Sequence, residues 1–500
     1  MTDTLVARPH RAARLARAAA GACGTVACLT QCAAAQPAAA PAAAHAPTPA
    51  ERAFADTLER RTFDWFWETT DSTTGLTPDR WPTQSFSSVA AVGFALTAYP
   101  IGVERGWVAR DRARARVLTT LRYFWRAPQG PEPTGTAGYR GFFYHFLDVR
   151  TGHRFGRVEL STIDTALLLA GVLTCREYFD RADAGDAEVR ALADSLTRRV
   201  DWDWARDGRP LVAMGWLPDS APGRTDVNAR GFIRTSWFGY TEAMVLYAMA
   251  LGSPTHPVPA SAWGAFTSTY TWARFGGQDY VQFAPLFGHQ YSHVWIDFRG
   301  VRDAYMRAKG TDYFENSRRA TLAQRAYATA NPGGWRGYGP AAWGLTASDG
   351  PLDSTFAVDG RARTFHTYWA RGAGADERND DGTLAPTAAG GSVAFAPEVV
   401  LPTLVAMRRT YGDALFGRYG FVDALNPTLR AAGIPVRQGR IVPGTGWFDT
   451  DYLGIDQGPI VAMLENYRSG LVWRVMRKNA DVARGLCRAG FSGGWLQGRC

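Results

Sequence analysis

The sequence predicts an all-α chain, a ring of paired helices with minor β hairpins on one rim. Two observations carry this. Apolar residues recur at spacings of three and four, not two, through most of the chain after Ala53. Gly-, Pro- and Asp-rich segments at 128–138, 219–231 and 372–382 cut that pattern into helix-length pieces. Phe54, Leu58, Phe63, Phe66 and Trp67 mark the first helix. Residues 89–103 are small and apolar, as a buried helix requires, and 113–125, 162–179, 190–204 and 242–251 repeat the pattern. Residues 300–308, 316–331, 397–411 and 459–476 complete a series on the order of ten to twelve helices. The Tyr/Phe-rich run 139–147 reads as a small sheet or hairpin. No repeat or linker interrupts 53–500, so one domain is expected there.

The start of the chain reads as an address. Arg8, Arg11, Arg14 and Arg17 precede an Ala-rich apolar stretch from Ala18 to Ala35, the order of a secretory leader. Ala33–Ala35 offer small residues for cleavage. Cys32, with Cys28 as a second candidate, offers a lipid anchor instead. Residues 36–52 read as an Ala/Pro-rich linker. The expected protein is therefore exported, either periplasmic or held at the outer membrane as a lipoprotein. No later apolar run has spanning length, so no membrane span is expected.

Composition narrows the rest. The chain is 46% hydrophobic, enough to fill a sizeable core. Its +9 net charge is carried almost wholly by Arg, since Lys309 and Lys478 are the only lysines, and the basic residues are scattered. No stripe for nucleic acid is visible, so no such partner is expected. Cys175 sits in an apolar helical run and reads as a small buried hydrophobe. Cys487 and Cys500 are placed to staple the C-terminal tail. No cysteine pair has metal-site spacing, so neither a metal nor a cofactor is expected. A monomer is the expected state.

The chemistry-bearing residues are acids at predicted helix mouths among aromatic rings. The chain has 18 Trp, and indole faces either stack on the flat C–H faces of sugars or simply fill core. Glu159 and Asp164 precede or open the 162–179 helix, where the positive end of the helix favours an ionised acid. Glu242 follows Trp237, Gly239 and Tyr240, and a carboxyl packed among rings has a raised pKa suited to a general acid. Asp456 is expected in a Gly-flanked loop before a helix starting at Pro459. Two carboxylic acids are what glycosidic bond cleavage needs, one to protonate the leaving oxygen and one to act on the opposite face. His289 and His293 share a face if helical, but no third ligand is evident, so sugar contacts or a structural network are expected.

Several strings together resemble the bacterial glucoamylase-like family. They are Glu159…Ser161-Thr162-Ile163-Asp164-Thr165-Ala166, Gly252-Ser253-Pro254-Thr255-His256-Pro257, and Gly288-His289-Gln290-Tyr291-Ser292-His293. Trp343-Gly344-Leu345-Thr346-Ala347-Ser348-Asp349, Ile455-Asp456-Gln457-Gly458-Pro459 and Glu465-Asn466-Tyr467-Arg468-Ser469-Gly470-Leu471 follow in order. The resemblance runs from about Thr57 to Phe491. It implies an (α/α)6 barrel and an inverting hydrolase of β-linked, most plainly β-1,2-linked, glucan. By the same resemblance Glu242 stands at the general-acid position, Asp456 at the base position and Asp164 at a third acidic position. Ser161 stands where the glucanase branch often has Asp. An inverting reaction implies carboxyls about 6.5–9.5 Å or more apart. Trp237, Tyr240, Trp295, Trp343 and Trp447 are expected as sugar-stacking walls, with Glu159, His289, His293, Asp349 and Gln457 as further substrate contacts. Two other readings compete. One is a polysaccharide lyase using His289, Tyr291 or His293 as base and Arg299 against a uronate; the other is a non-catalytic glycan-binding lipoprotein.

Overall fold

The computed structural model describes residues 45–219 and 224–500. The expected leader, most of the linker and the Cys32 anchor lie outside the described residues. The domain from His45 to Cys500 is mostly helical. Its helices are α1 (Pro49–Thr69), α2 (Val89–Glu104), α3 (Arg110–Arg126), α4 (Thr162–Tyr178), α5 (Ala184–Arg198), α6 (Met244–Gly252), α7 (Ser261–Thr267) and α8 (Tyr291–Trp295). They continue as α9 (Ala304–Ala308), α10 (Tyr313–Ala330), α11 (Pro386–Gly390), α12 (Pro397–Tyr411), α13 (Gly454–Arg468), α14 (Leu471–Met476) and α15 (Ala480–Arg488). Among the described residues no helix is long and apolar enough to cross a membrane.

Helix α1 starts inside the segment read as linker. Thr48 accepts from the Glu51 N–H, and Glu51 accepts from the Thr48 N–H, a capping box that nucleates the helix at Pro49. Helix α2 is buried along nearly its whole length and packs against α4 and α13. Two glycines set how close α2 and α4 come: a Cβ on Gly93 would lie 2.2 Å from the Leu167 carbonyl oxygen, and one on Gly171 would lie 2.1 Å from the Gly93 carbonyl oxygen. Helix α13 also lies on α1, and α4 also packs on α5 and α6. One continuous hydrophobic core joins these elements.

The strands are short, and three lead straight into buried helices. Ser87–Ser88 enters α2, Leu160–Ser161 enters α4 and Tyr452–Leu453 enters α13. Ser88 and Ser161 cap α2 and α4 through their hydroxyls. The expected hairpin in 139–147 is present: Gly138–Tyr139 and Phe142–Tyr144 belong to a four-stranded sheet that also holds Leu160–Ser161. The predicted single helix 459–476 is two helices, because Gly470 takes a left-handed conformation between them. Cys487 and Cys500 form the expected disulfide, and Cys175 is buried.

Candidate active site

The candidate acids stand at helix starts, and neighbouring hydroxyls pin their backbones. Asp164 occupies the first turn of α4, where its N–H donates to Ser161 Oγ and its carboxylate accepts from the same hydroxyl. Glu242 lies just before α6; its carbonyl accepts from Ser292 Oγ of α8 at 2.6 Å, and that hydroxyl accepts from the Val245 N–H. Asp456 is in the first turn of α13, not in a loop as the sequence predicted, and its carbonyl accepts from Thr387 Oγ1 of α11 at 2.7 Å. The helix starts at Gly454 and absorbs Pro459 within its early turns. Helix starts concentrate unpaired N–H groups and positive potential, so they hold anionic side chains in place.

A circuit of charged groups links these positions. Asp164 acts on Glu242 electrostatically, and Glu242 and Asp456 both act on the buried Tyr291 hydroxyl. Asp456 faces Asp423, whose carboxylate accepts from the Asp349 N–H at 2.7 Å. Asp349 accepts from Arg80 Nη1 at 2.6 Å, and Asp79 accepts from Arg80 Nε at 3.2 Å. Asp79 acts in turn on His145, whose ring nitrogens lie 2.9 Å from Glu159 and 3.6 Å from Asp164. Direct contacts thus join Asp79, Arg80, Asp349 and Asp423 in one group and His145, Glu159 and Asp164 in another.

Burial sets the protonation of these groups. It pushes the Glu242 carboxyl up to about 7, with the nearby Asp164 charge adding to the effect. One Glu242 oxygen has no hydrogen-bond partner among the described residues. Burial also raises Asp456, to about 7, and its facing partner Asp423 well above the usual carboxylate range, so the pair shares a proton. Burial alone would lower His145, but Asp164 and Glu159 outweigh it and push the imidazole up to about 9. His145 is therefore cationic at neutral pH, and it holds Glu159 below the usual carboxylate range despite burial.

Several predicted sugar contacts are instead sealed in the core. Trp343 is fully buried and donates to Thr403, and Trp447 is fully buried and donates to the Gln438 carbonyl. Trp295 donates to Thr97 and stacks on Phe94. Trp237 donates to Thr162, which fixes the start of α4. Tyr240 packs between Tyr313 and His289. His289 donates from Nε2 to the Phe283 carbonyl, and burial lowers it to about 3. His293 hydrogen-bonds Ser317 and is likewise held neutral by burial. Gln457 donates to the Phe421 carbonyl. These side chains are enclosed and their polar atoms are paired within the protein, so they support the walls of the site and are not open for stacking. Of the lyase candidates, both histidines are enclosed and Arg299 pairs with Asp297 over Trp473, which leaves Tyr291 without the cationic partner that reading requires. Trp343→Phe is expected to lower stability by about 1 kcal/mol through the lost hydrogen bond. Denaturant unfolding measures that loss, and turnover should stay at the wild-type rate.

The structure gathers Glu159, Asp164, Glu242, Asp349 and Asp456, and adds groups that sequence reasoning missed. Asp79, Arg80, His145, Tyr368, Asp423, Asp449 and Asp451 all belong to the cluster. The one sequence signal for them was local: Asp79-Arg80 and Asp449-Thr450-Asp451 are close-set polar groups beside aromatic residues. Trp81 and Phe238, adjacent to Arg80 and Trp237, are large aromatic residues that remain exposed.

Fold and cluster together define a helical protein with a buried, polycarboxylate centre at its helix starts. A family model described as "putative glucoamylase" matches residues 234–480. A Bacteroides caccae protein of the same description is 30% identical, with a TM-score of 0.71; the match covers 89% of this chain and all of that one. The chain belongs to this glucoamylase-like family. An endo-β-1,2-glucanase from Chitinophaga pinensis is 26% identical with a TM-score of 0.73, over 89% of this chain and 99% of its own. An exo β-1,2-glucooligosaccharide sophorohydrolase (non-reducing end) of Parabacteroides distasonis is 27% identical over 86% of this chain. The chain spans 57% of that relative's length.

Proposed function

We propose that this protein is an exported, monomeric glycoside hydrolase that cleaves β-1,2-linked glucan within the chain. It does so on an (α/α)6 barrel with inversion at the anomeric carbon. The observation that carries the reading is that Glu242 and Asp456 stand at the starts of α6 and α13, two helices that both pack against the short helix α8. Relatives named for β-1,2-glucans support the linkage.

Glu242, held protonated near neutral pH, gives its proton to the glycosidic oxygen as the bond to C1 breaks. Asp456 takes a proton from the water that attacks C1 from the other face, directly or through a substrate hydroxyl. A proton shared between Asp456 and Asp423 limits the repulsion between these two facing carboxyls. His145 keeps Glu159 and Asp164 in place for substrate hydroxyls. The open rings of Trp81 and Phe238 are the sugar-stacking surfaces that replace the buried tryptophans. The Cys487–Cys500 disulfide fits an oxidising compartment outside the cytoplasm.

The test is incubation with linear and cyclic β-1,2-glucans beside β-1,3-, β-1,4- and α-1,4-glucans. Product size and anomeric configuration are read together. Release of α-configured oligosaccharides of mixed length from both linear and cyclic β-1,2-glucan is expected. Disaccharide release from chain ends alone would replace the endo reading with an exo one, and no release from β-1,2-glucan would end the linkage assignment.

A further inference from the structure

The acids around Asp456 continue away from Glu242 into a group with a chemistry of its own. Asp79, Asp349, Asp423, Asp449, Asp451 and Asp456 are all buried, and Arg80 is the guanidinium among them. One carboxylate oxygen from each of Asp349, Asp449 and Asp451 lies within 4.8 Å of the other two. These three residues come from two separate loops: Asp349 follows the strand Ala347–Ser348, and Asp449 and Asp451 lie between Gly446–Phe448 and Tyr452–Leu453.

Each carboxylate accepts hydrogen bonds on one of its oxygens. Asp349 Oδ2 accepts from Arg80 Nη1 at 2.6 Å. Asp449 Oδ1 accepts from the Thr450 N–H at 2.7 Å and the Asp451 N–H at 3.2 Å. Asp451 Oδ1 accepts from the Thr83 N–H at 2.9 Å. The opposite oxygens of Asp349 and Asp449, on side chains about 99% buried, have no hydrogen-bond partner among the described residues. Buried anionic oxygens without donors are strongly unfavourable unless something positive meets them. Arg80 donates to Asp349 Oδ2 and to Asp79, and its single charge is spread over Asp423 and Asp449 as well, one cation among six acids.

The geometry points to a divalent-cation site formed by Asp349, Asp449 and Asp451, with Ca2+ as the ion it takes. All three donors are hard carboxylate oxygens, which favours Ca2+, Mg2+ or Mn2+ over zinc or copper. Ca2+ bonds to oxygen at about 2.3–2.6 Å and tolerates irregular geometry, so it can bridge oxygens as widely set as these. Mg2+ needs about 2.0–2.1 Å and near-ideal octahedral placement. The ion ties the Asp349 loop to the segment that leads into α13, and so to Asp456. It is a structural ion beside the reacting acids, and its binding does not depend on the hydrolase reading.

The test uses the purified full chain, stripped with a chelator and then titrated with CaCl2, with bound metal and thermal stability measured in the absence of substrate. Roughly one Ca2+ per chain is expected, with a melting temperature that falls on chelation and recovers with Ca2+. Asp449→Asn should lose the Ca2+ response, and Glu242→Gln should keep it, which separates this site from the catalytic assignment. If Asp449→Asn fails to fold, Asp451→Asn and calorimetric titration of the wild-type protein decide instead. A metal-free protein whose melting temperature ignores millimolar Ca2+ would overturn the site and leave shared protons as the neutralising charge.

Discussion

Glu242→Gln and Asp456→Asn are each expected to lower turnover by about 10²–10⁴-fold, the scale of general acid–base catalysis, with little change in substrate affinity. Both replacements keep the shape of the side chain and remove its proton chemistry. The Gln at 242 cannot donate to a leaving oxygen, and the Asn at 456 cannot accept a proton from water. The split between kcat and KM is the informative reading, because a lost binding contact would raise KM and a lost proton transfer would lower kcat. The pH profile adds a second check. Glu242 must be protonated to act, and burial places its carboxyl at about 7. Asp456, also raised to about 7, must be ionised to act, so activity should peak near that value and fall on both sides of it. Steady-state kinetics on β-1,2-glucan over pH 5 to 9 measures both, and near-normal turnover in either variant removes that residue from the mechanism.

The parts of the site that the sequence reveals are those with a local signature. Glu242 and Asp456 could be singled out because each has a glycine within three residues and stands at the start of an apolar helix, a pattern visible within ten residues. Long buried helices such as α2 and α4 are legible for the same reason, since their apolar content is continuous. The short helices α8 and α11 are not: five residues carry too little period to be recognised, yet they supply Ser292 and Thr387, which pin the backbones of Glu242 and Asp456. The tryptophans mislead because composition cannot tell a ring that faces solvent from one that faces core. Trp343 and Trp447 are core, and Trp81, in a two-residue strand, is open. The acid cluster around Arg80 is assembled from positions 79, 349, 423, 449 and 451, and no spacing rule connects them.

Glu242→Gln should also stabilise the protein at alkaline pH while it disables turnover. The sign follows from where the proton sits. In the folded state burial raises the Glu242 carboxyl from 4.5 to about 7, so the folded chain keeps this proton where the unfolded chain has lost it. Stability contributed by this residue is therefore highest below 4.5, falls as pH rises from there to 7, and stays low above it. The full loss is about 3 kcal/mol. Gln carries no charge at any pH and avoids that loss. Wild type and variant should thus unfold at similar denaturant concentrations near pH 4.5 and diverge by about 3 kcal/mol at pH 8, with the variant the more stable. Asp423 and Asp449, also raised by burial, titrate in both proteins and so cancel in the difference. His145 cancels too, and its own contribution runs in another window, present below 6.5 and lost as pH rises through about 9. Parallel stability curves for the two proteins from pH 4.5 to 8 would mean that Glu242 ionises freely in the fold. The enclosed, proton-holding carboxyl on which the acid role depends would then be absent.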